Sequence, residues 1–205
     1  PNICVLEKVS FSAEELDEYM DTVGRDLFSY ELRETLQQFD EVDNFGSLIQ
    51  PKLSNVKDVI KSLEERDMGS HLFLANTHTR VLKVLRMANY LNPHYHVVVA
   101  NPPYMGGKGM NARLSAWARQ NYPNSKSDLF AMFIERGFEL TPIYGYSAMV
   151  TMQSWMFLSS YEALRNRILS ETSIECMAHM ANMVMGIAFG TAATVLKKGG
   201  SPQNR

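Results

Sequence analysis

Four apolar residues in a row, Val97-Val98-Val99-Ala100, stop abruptly at Asn101-Pro102-Pro103-Tyr104. A continuous β-branched run of this kind reads as a strand buried on both faces of a parallel sheet. The prolines end it, because each fixes φ near about −65° and neither has an amide hydrogen for a neighbouring strand. A stiff turn at the carboxyl end of a buried strand lies where open α/β sheets bind their ligands. The chain beyond it keeps the same layout. A Gly-rich loop (Gly106, Gly107, Gly109) leads to a basic helix near 111–120, and an amphipathic helix covers 128–140. An apolar strand follows at 146–152, then a helix capped by Ser159 and Glu162 that runs to about Leu169, then strands at 173–179 and 191–196. Strand–helix alternation predicts an α/β fold, an open sheet with crossover connections.

Upstream of His94 the texture is helical. Ile3-Cys4-Val5-Leu6 reads as a short buried strand, and Ser12 with Glu15 gives a capping box opening a helix to about Tyr19. Further helices are expected over 24–39, 54–65 and 72–91, with Leu27, Tyr30, Leu32, Leu36 and Phe39 as apolar positions of the first. Asn44-Phe45-Gly46-Ser47 and Pro51 punctuate a loop. The expected organisation is an acidic helical segment 1–70, a second segment 71–198 and a flexible tail 199–205.

Charge separates the same two segments. Residues 1–70 hold 16 acids and 7 bases, whereas 71–205 hold 6 acids and 13 bases, so a formal net charge of −2 averages two opposite surfaces. That asymmetry points to a polyanion meeting the second segment. With 45% hydrophobic and 20% charged residues the chain is not a disordered one. No apolar run reaches the roughly 18–20 residues of a membrane span, and the N-terminus has no secretory pattern. Two cysteines, Cys4 and Cys176, leave no disulfide framework, so a cytoplasmic location is expected. An opening on Pro1 and abrupt ends suggest a piece of a longer protein.

The turn carries chemistry of its own. Its free polar groups are mainly acceptors, the Asn101 side-chain oxygen and the Pro102 carbonyl, and Tyr104 adds a flat ring. Two acceptors and a stacking face suit an exocyclic amine on a planar base. The acceptors accept hydrogen bonds from both amine N–H groups and draw its lone pair out of conjugation, so that it can attack an electrophilic methyl group. Stacking on the ring is worth on the order of 1–3 kcal/mol.

On these residues the chain resembles the N6-adenine DNA methyltransferases, whose catalytic motif is [D/N/S]-P-P-[Y/F]. The likeness continues through Asp128-Leu129-Phe130-Ala131-Met132-Phe133-Ile134-Glu135-Arg136-Gly137, Met149–Trp155 and Met185–Leu196. The longer stretch Asn101–Asn111 resembles the PglX group of BREX-type phage-defence methyltransferases. The resemblance implies a Rossmann-like fold using S-adenosylmethionine, with 71–198 as its catalytic half and double-stranded DNA as partner. It implies that Asn101, Pro102, Pro103 and Tyr104 hold a flipped adenine, since chemistry on a base requires its extrusion. Phe189 would be a second aromatic wall and Asp128 would line the cofactor pocket. Other defence-system subunits are further implied partners. The family's Gly-rich cofactor loop and its following acidic residue do not occur before residue 94. The expectation is therefore a fragment that neither binds the cofactor tightly nor methylates DNA alone.

Several residues carry competing readings. Lys108, Arg113, Arg119 and Lys126 lie in a stretch, 101–127, without a single acid. They suit DNA phosphates or a solvated helix face. Phe45, within Asp43-Asn44-Phe45-Gly46, and Glu7 are alternative cofactor contacts; loop punctuation is the plainer reading. His94 and His96 read as a surface pair at a strand start rather than metal ligands, and no metal is expected. Gly106-Gly107-Lys108-Gly109 lacks the phosphate-loop spacing and reads as a mobile loop closing over DNA. Trp117 and Trp155 read as packing residues. A non-catalytic nucleic-acid-binding or assembly module on the same fold is the alternative function, and methylation of a protein glutamine or small amine is a third.

Overall fold

The computed structural model describes residues 2–23, 29–66, 72–92, 94–184 and 186–199. These fall into two compact units, 1–93 and 94–205.

The first unit is helical. Helix α1 (Ala13–Val23) starts where expected, with the Glu15 amide donating to Ser12 Oγ at 3.1 Å. It continues past Tyr19 because Met20 and Val23 are also buried. Helix α2 (Ser29–Gln38) and short helix α3 (Val42–Phe45) follow, then α4 (Val56–Glu64) and the long α5 (Leu72–Leu91). Leu32, Leu36 and Phe39 are buried as their spacing predicts, whereas Tyr30 is exposed and its hydroxyl donates to Glu34. Leu27 lies outside the described residues. Helix α5, grouped by sequence with the segment after it, packs within this first unit through Val81, Val84, Leu85 and Ala88. At its centre the Tyr19 hydroxyl meets His78 Nδ1 at 2.8 Å, and Glu15 accepts from Thr77 and Arg80. The expected strand at 3–6 does not form: those residues belong to no regular element, and Ile3 and Val5 are exposed. Four apolar residues form a strand only beside a partner, and none is present among the described residues.

The second unit is a two-layer α/β structure. Its strands are β1 (Val97–Ala100), β2 (Tyr146–Met152), β3 (Thr172–Met180) and β4 (Thr191–Lys198), in the order β1-β2-β4-β3. Strand β1 runs parallel to β2, pairing Val97 with Tyr146 and Ala100 with Met149. Helices α6 (Ala112–Asn121) and α7 (Leu129–Leu140) make the connection. Helix α8 (Glu162–Glu171) links β2 to β3, and β4 returns antiparallel to both of its neighbours. The expected open α/β sheet with crossovers is thus observed, and the antiparallel β4 makes it a mixed one.

Helices α7 and α8 cover one sheet face. Phe130, Ala131, Ile134 and Phe138 of α7 join Leu164 and Ile168 of α8 against Met149 and Leu196. Gly137 permits a close approach, since a Cβ there would collide with Ser147 Oγ and lie 2.8 Å from Met149 Cε. Strand β1 departs from expectation: among the described residues it has one neighbouring strand and is buried on one face only. Val98 and Ala100 pack on the core, while Val97 and Val99 are exposed, Val99 by 75%. A run of valines specifies a strand but not what covers its second face.

Candidate active site

The site is built where β1 stops. Past Ala100 the prolines offer no donors, so the ladder with β2 ends there. Pro102 is buried, Asn101 and Pro103 are exposed, and Tyr104 is half-buried. The Tyr104 hydroxyl donates to the Val150 carbonyl at 3.2 Å and lies 3.4 Å from Asn101 Oδ1. Its ring meets Phe130 edge-on, with centroids 6.2 Å apart. Burial pushes the Tyr104 hydroxyl's pKa up, so the neutral, hydrogen-bonding form persists at neutral pH. Asn101 and Tyr104 therefore share one small polar cluster, with the asparagine side chain reaching solvent.

The loop after Tyr104 is tied down rather than loose. The Met105 carbonyl accepts from Leu129, the Ser127 carbonyl accepts from Gly107, and the Gly106 carbonyl accepts from Gly109. Asp128 caps α7, its Oδ1 accepting from Phe130 at 3.2 Å, and the same oxygen accepts from Met105 at 3.0 Å. This carboxyl is buried; burial raises its pKa, and the backbone donors oppose that shift. Helix α6 starts on Asn111, whose Oδ1 accepts from Leu114 at 2.8 Å. Lys108, Arg113, Arg119 and Lys126 all expose their side chains along this acid-free segment.

Sheet register brings a second group to the same end. Ala100 is level with Met149, Met152 pairs with Thr191, and Thr191 pairs with Met180. The ends of β1 and β2 and the connection between β3 and β4 thus lie on one side, and Phe189, 43% exposed, is in that connection. Here the Gln153 amide donates to the Gly190 carbonyl at 3.1 Å, and Gln153 Oε1 pairs with His179 Nε2. A Cβ at Gly190 would sit 2.6 Å from the Gln153 side chain. Sequence reasoning missed this pair, because nothing local announces a contact across 26 residues.

A buried network missed in the same way supports the loop. Glu135 accepts from Ser125 Oγ, from Arg167 at 2.9 Å and from Asn124 at 3.5 Å. The loop before α7, helix α7 and helix α8 are joined by this one carboxylate. Trp155 is core, with its indole N–H on Thr151 Oγ1, and Trp117 packs on Tyr122.

The remaining candidates have partners of their own. Glu7 pairs with Lys83 at 2.7 Å and Phe45 is buried in α3, both in the first unit. His94 Nδ1 meets the Glu139 carbonyl oxygen, and neither His94 nor His96 lies within a strand. Among the described residues no cluster of His, Cys, Asp or Glu could hold a metal ion. No described helix is long and apolar enough to cross a membrane.

Known proteins match this chain along most of its length. Residues 9–184 match the family described as Eco57I restriction-modification methylase. The chain is 40% identical over 173 residues to the adenine-specific methyltransferase BrxX of Escherichia coli O9:H4 (strain HS), covering 81% of this chain and 14% of that protein. It is 34% identical over 208 residues to the adenine-specific methyltransferase PglX of Lacticaseibacillus casei (strain Zhang), covering 97% and 17%. The chain thus spans less than a fifth of each relative. Among solved structures it is similar, at 13% identity and a TM-score of 0.42, to a class I S-adenosylmethionine-dependent methyltransferase of Listeria monocytogenes, covering 92% of this chain and 88% of that one.

Proposed function

This chain belongs to the Eco57I restriction-modification methylase family, and from that premise we propose that it is the catalytic segment of a DNA adenine-N6 methyltransferase of a restriction–modification or phage-defence system. The observation that carries the reading is the exposed Asn101 side chain beside the anchored Tyr104 at the strand end. The substrate is double-stranded DNA with one adenine turned out of the stack. Asn101 Oδ1 and the Pro102 carbonyl accept hydrogen bonds from the two amine N–H groups and localise its lone pair. Pro102 and Pro103 keep those acceptors from rearranging, and Tyr104 stacks on the base. Phe189 closes the second side of the base. Lys108, Arg113, Arg119 and Lys126 neutralise backbone phosphates without reading sequence. Both segments flanking this sheet end, 101–127 and 176–199, contain no acid, which suits a polyanion. The location is the cytoplasm, and other subunits of the defence system are further partners.

S-adenosylmethionine supplies the electrophilic methyl group in this family's chemistry. The Asn101–Tyr104 turn serves the amine side of that reaction. Asp128, read from sequence as a cofactor contact, has its carboxylate turned to two backbone amides. Glu7 and Phe45 remain alternative contacts from the first unit.

The test uses the full-length polypeptide that carries this chain. Genomic DNA from cells with the parent protein and with Asn101→Ala is sequenced for N6-methyladenine. Loss of one transition-state acceptor is expected to cost about a hundredfold or more, by analogy with lost oxyanion donors. An unchanged methylation pattern overturns the assignment.

A further inference from the structure

Resting on the adenine-methyltransferase reading, we infer that Asp128 is a positioning residue for the Asn101–Tyr104 turn, because its side chain fastens the residue that follows Tyr104 to the start of α7.

Two prolines make the turn stiff within itself, but its placement depends on how its two ends are held. The upstream end is held by the β1–β2 ladder, with Ala100 opposite Met149. The downstream end is held by a single antiparallel β-bridge, Gly106 opposite Asp128, in which the Met105 carbonyl accepts from Leu129 at 3.1 Å. The Asp128 side chain adds to that bridge, its Oδ1 accepting from the Met105 N–H at 3.0 Å. Gly107 donates to the Ser127 carbonyl at 3.1 Å, so the next residues are fastened to the same place. Asp128 is 7% exposed, and a Cβ at Gly106 would lie 3.4 Å from its other oxygen. The carboxyl is therefore packed between the loop and the helix.

Helix α7 is a fixed reference point. Phe130, Ala131 and Met132 have no exposed surface, and Glu135 ties the helix to Arg167 of α8. One oxygen of Asp128 thus connects that rigid body both to its own first turn, at Phe130, and to the catalytic loop, at Met105. Displacing a reacting group by about 1 Å can cost about a hundredfold in rate, so a tether one residue from Tyr104 bears directly on catalysis without touching substrate.

A positioning role and a cofactor-contact role divide kinetically. Loss of positioning lowers kcat and leaves the KM for S-adenosylmethionine in place, whereas loss of a cofactor contact raises that KM. Three substitutions in the full-length protein separate them. Asp128→Asn keeps an acceptor oxygen at the same reach. Asp128→Ser keeps a capping oxygen for α7, but one bond shorter, so it releases Met105 while preserving the helix start. Asp128→Ala removes both contacts.

Steady-state DNA methylation and hydrogen–deuterium exchange of peptides spanning 101–110 are measured for each variant. Asp128→Ser and Asp128→Ala are expected to lower kcat about ten- to a hundredfold. Their KM for S-adenosylmethionine stays within about twofold, and amide exchange at 105–107 accelerates. Asp128→Asn restores both readouts. If Asp128→Ala does not fold, the serine variant decides. A serine variant with parental kcat, a raised KM at parental kcat, or unaltered exchange overturns the inference. A parent protein that methylates no adenine overturns the adenine reading instead, and the exchange result then still decides whether Asp128 holds the turn.

Discussion

The hydroxyl of Tyr104 donates to the Val150 carbonyl, 3.2 Å away on the adjacent strand. Together with the edge-on contact to Phe130, this fixes the ring from within the protein, before any base arrives. Tyr104→Phe removes the hydroxyl and keeps the stacking face. The expected cost is about 1 kcal/mol, the net worth of one neutral hydrogen bond. Tyr104→Ala removes the face as well and is expected to cost on the order of 1–3 kcal/mol more. Ratios of kcat/KM for the full-length protein on a duplex substrate check both. An alanine variant no worse than the phenylalanine variant would remove Tyr104 from base stacking.

Gly137→Ala is expected to destabilise the second unit, although alanine is the better helix former by about 1 kcal/mol. The new Cβ would collide with buried Ser147 Oγ and approach Met149 Cε to 2.8 Å. Overpacking of this kind costs about 1–3 kcal/mol. Urea unfolding followed by tryptophan fluorescence reads it cleanly, because both tryptophans, Trp117 and Trp155, belong to this unit.

Glu135→Ala would leave Arg167 and Ser125 without their buried acceptor. Removing one member of a buried pair costs about 3 kcal/mol; here Glu171, which also pairs with Arg167, moderates the loss. Glu135→Gln, which keeps an oxygen but no charge, should fall between parent and alanine. The same fluorescence-detected unfolding gives the order, and equal stability of all three would dismiss the network as a determinant.

The first unit should weaken in acid. Burial holds the His78 imidazole below its ordinary pKa near 6.5, so the folded state favours the neutral ring facing Tyr19. A depressed pKa contributes stability that is present above the unfolded value and is lost as pH falls through the folded one. Helical ellipticity is therefore expected to melt at progressively lower temperature as pH drops below about 6.5. His78→Gln should flatten that dependence, and a parent with no pH dependence in this range would contradict it.

Much of this was legible in the sequence because it is written locally. The β-branched run at 97–100, the apolar strand at 146–152 and the period of α7 each declare an element within a few residues. Ser12 announced the start of α1 in the same way. Properties set by distant partners were not legible. Ile3–Leu6 has strand composition without a strand beside it, and Val97 and Val99 have core composition on an open face. The tie from Asp128 to Met105 spans 23 residues, so only its capping half had a local signal, an aspartate directly before an apolar helix. Nothing local marks Glu135 within its amphipathic helix; its role comes from Arg167 and Ser125, which the fold places around it.

Among the described residues β1 has one neighbouring strand, and Val97 and Val99 on it face outward. An uncharged strand with an open side and exposed valines is a template onto which another strand can add, the usual seed of insoluble assemblies. Handled by itself, the 205-residue polypeptide therefore carries a sticky edge directly beside Asn101-Pro102-Pro103. Two prolines beside that edge resist its extension, because they have no amide hydrogen to bond. Pro102 and Pro103 variants are accordingly compared in the full-length polypeptide, where lost solubility of the isolated piece cannot be mistaken for lost activity.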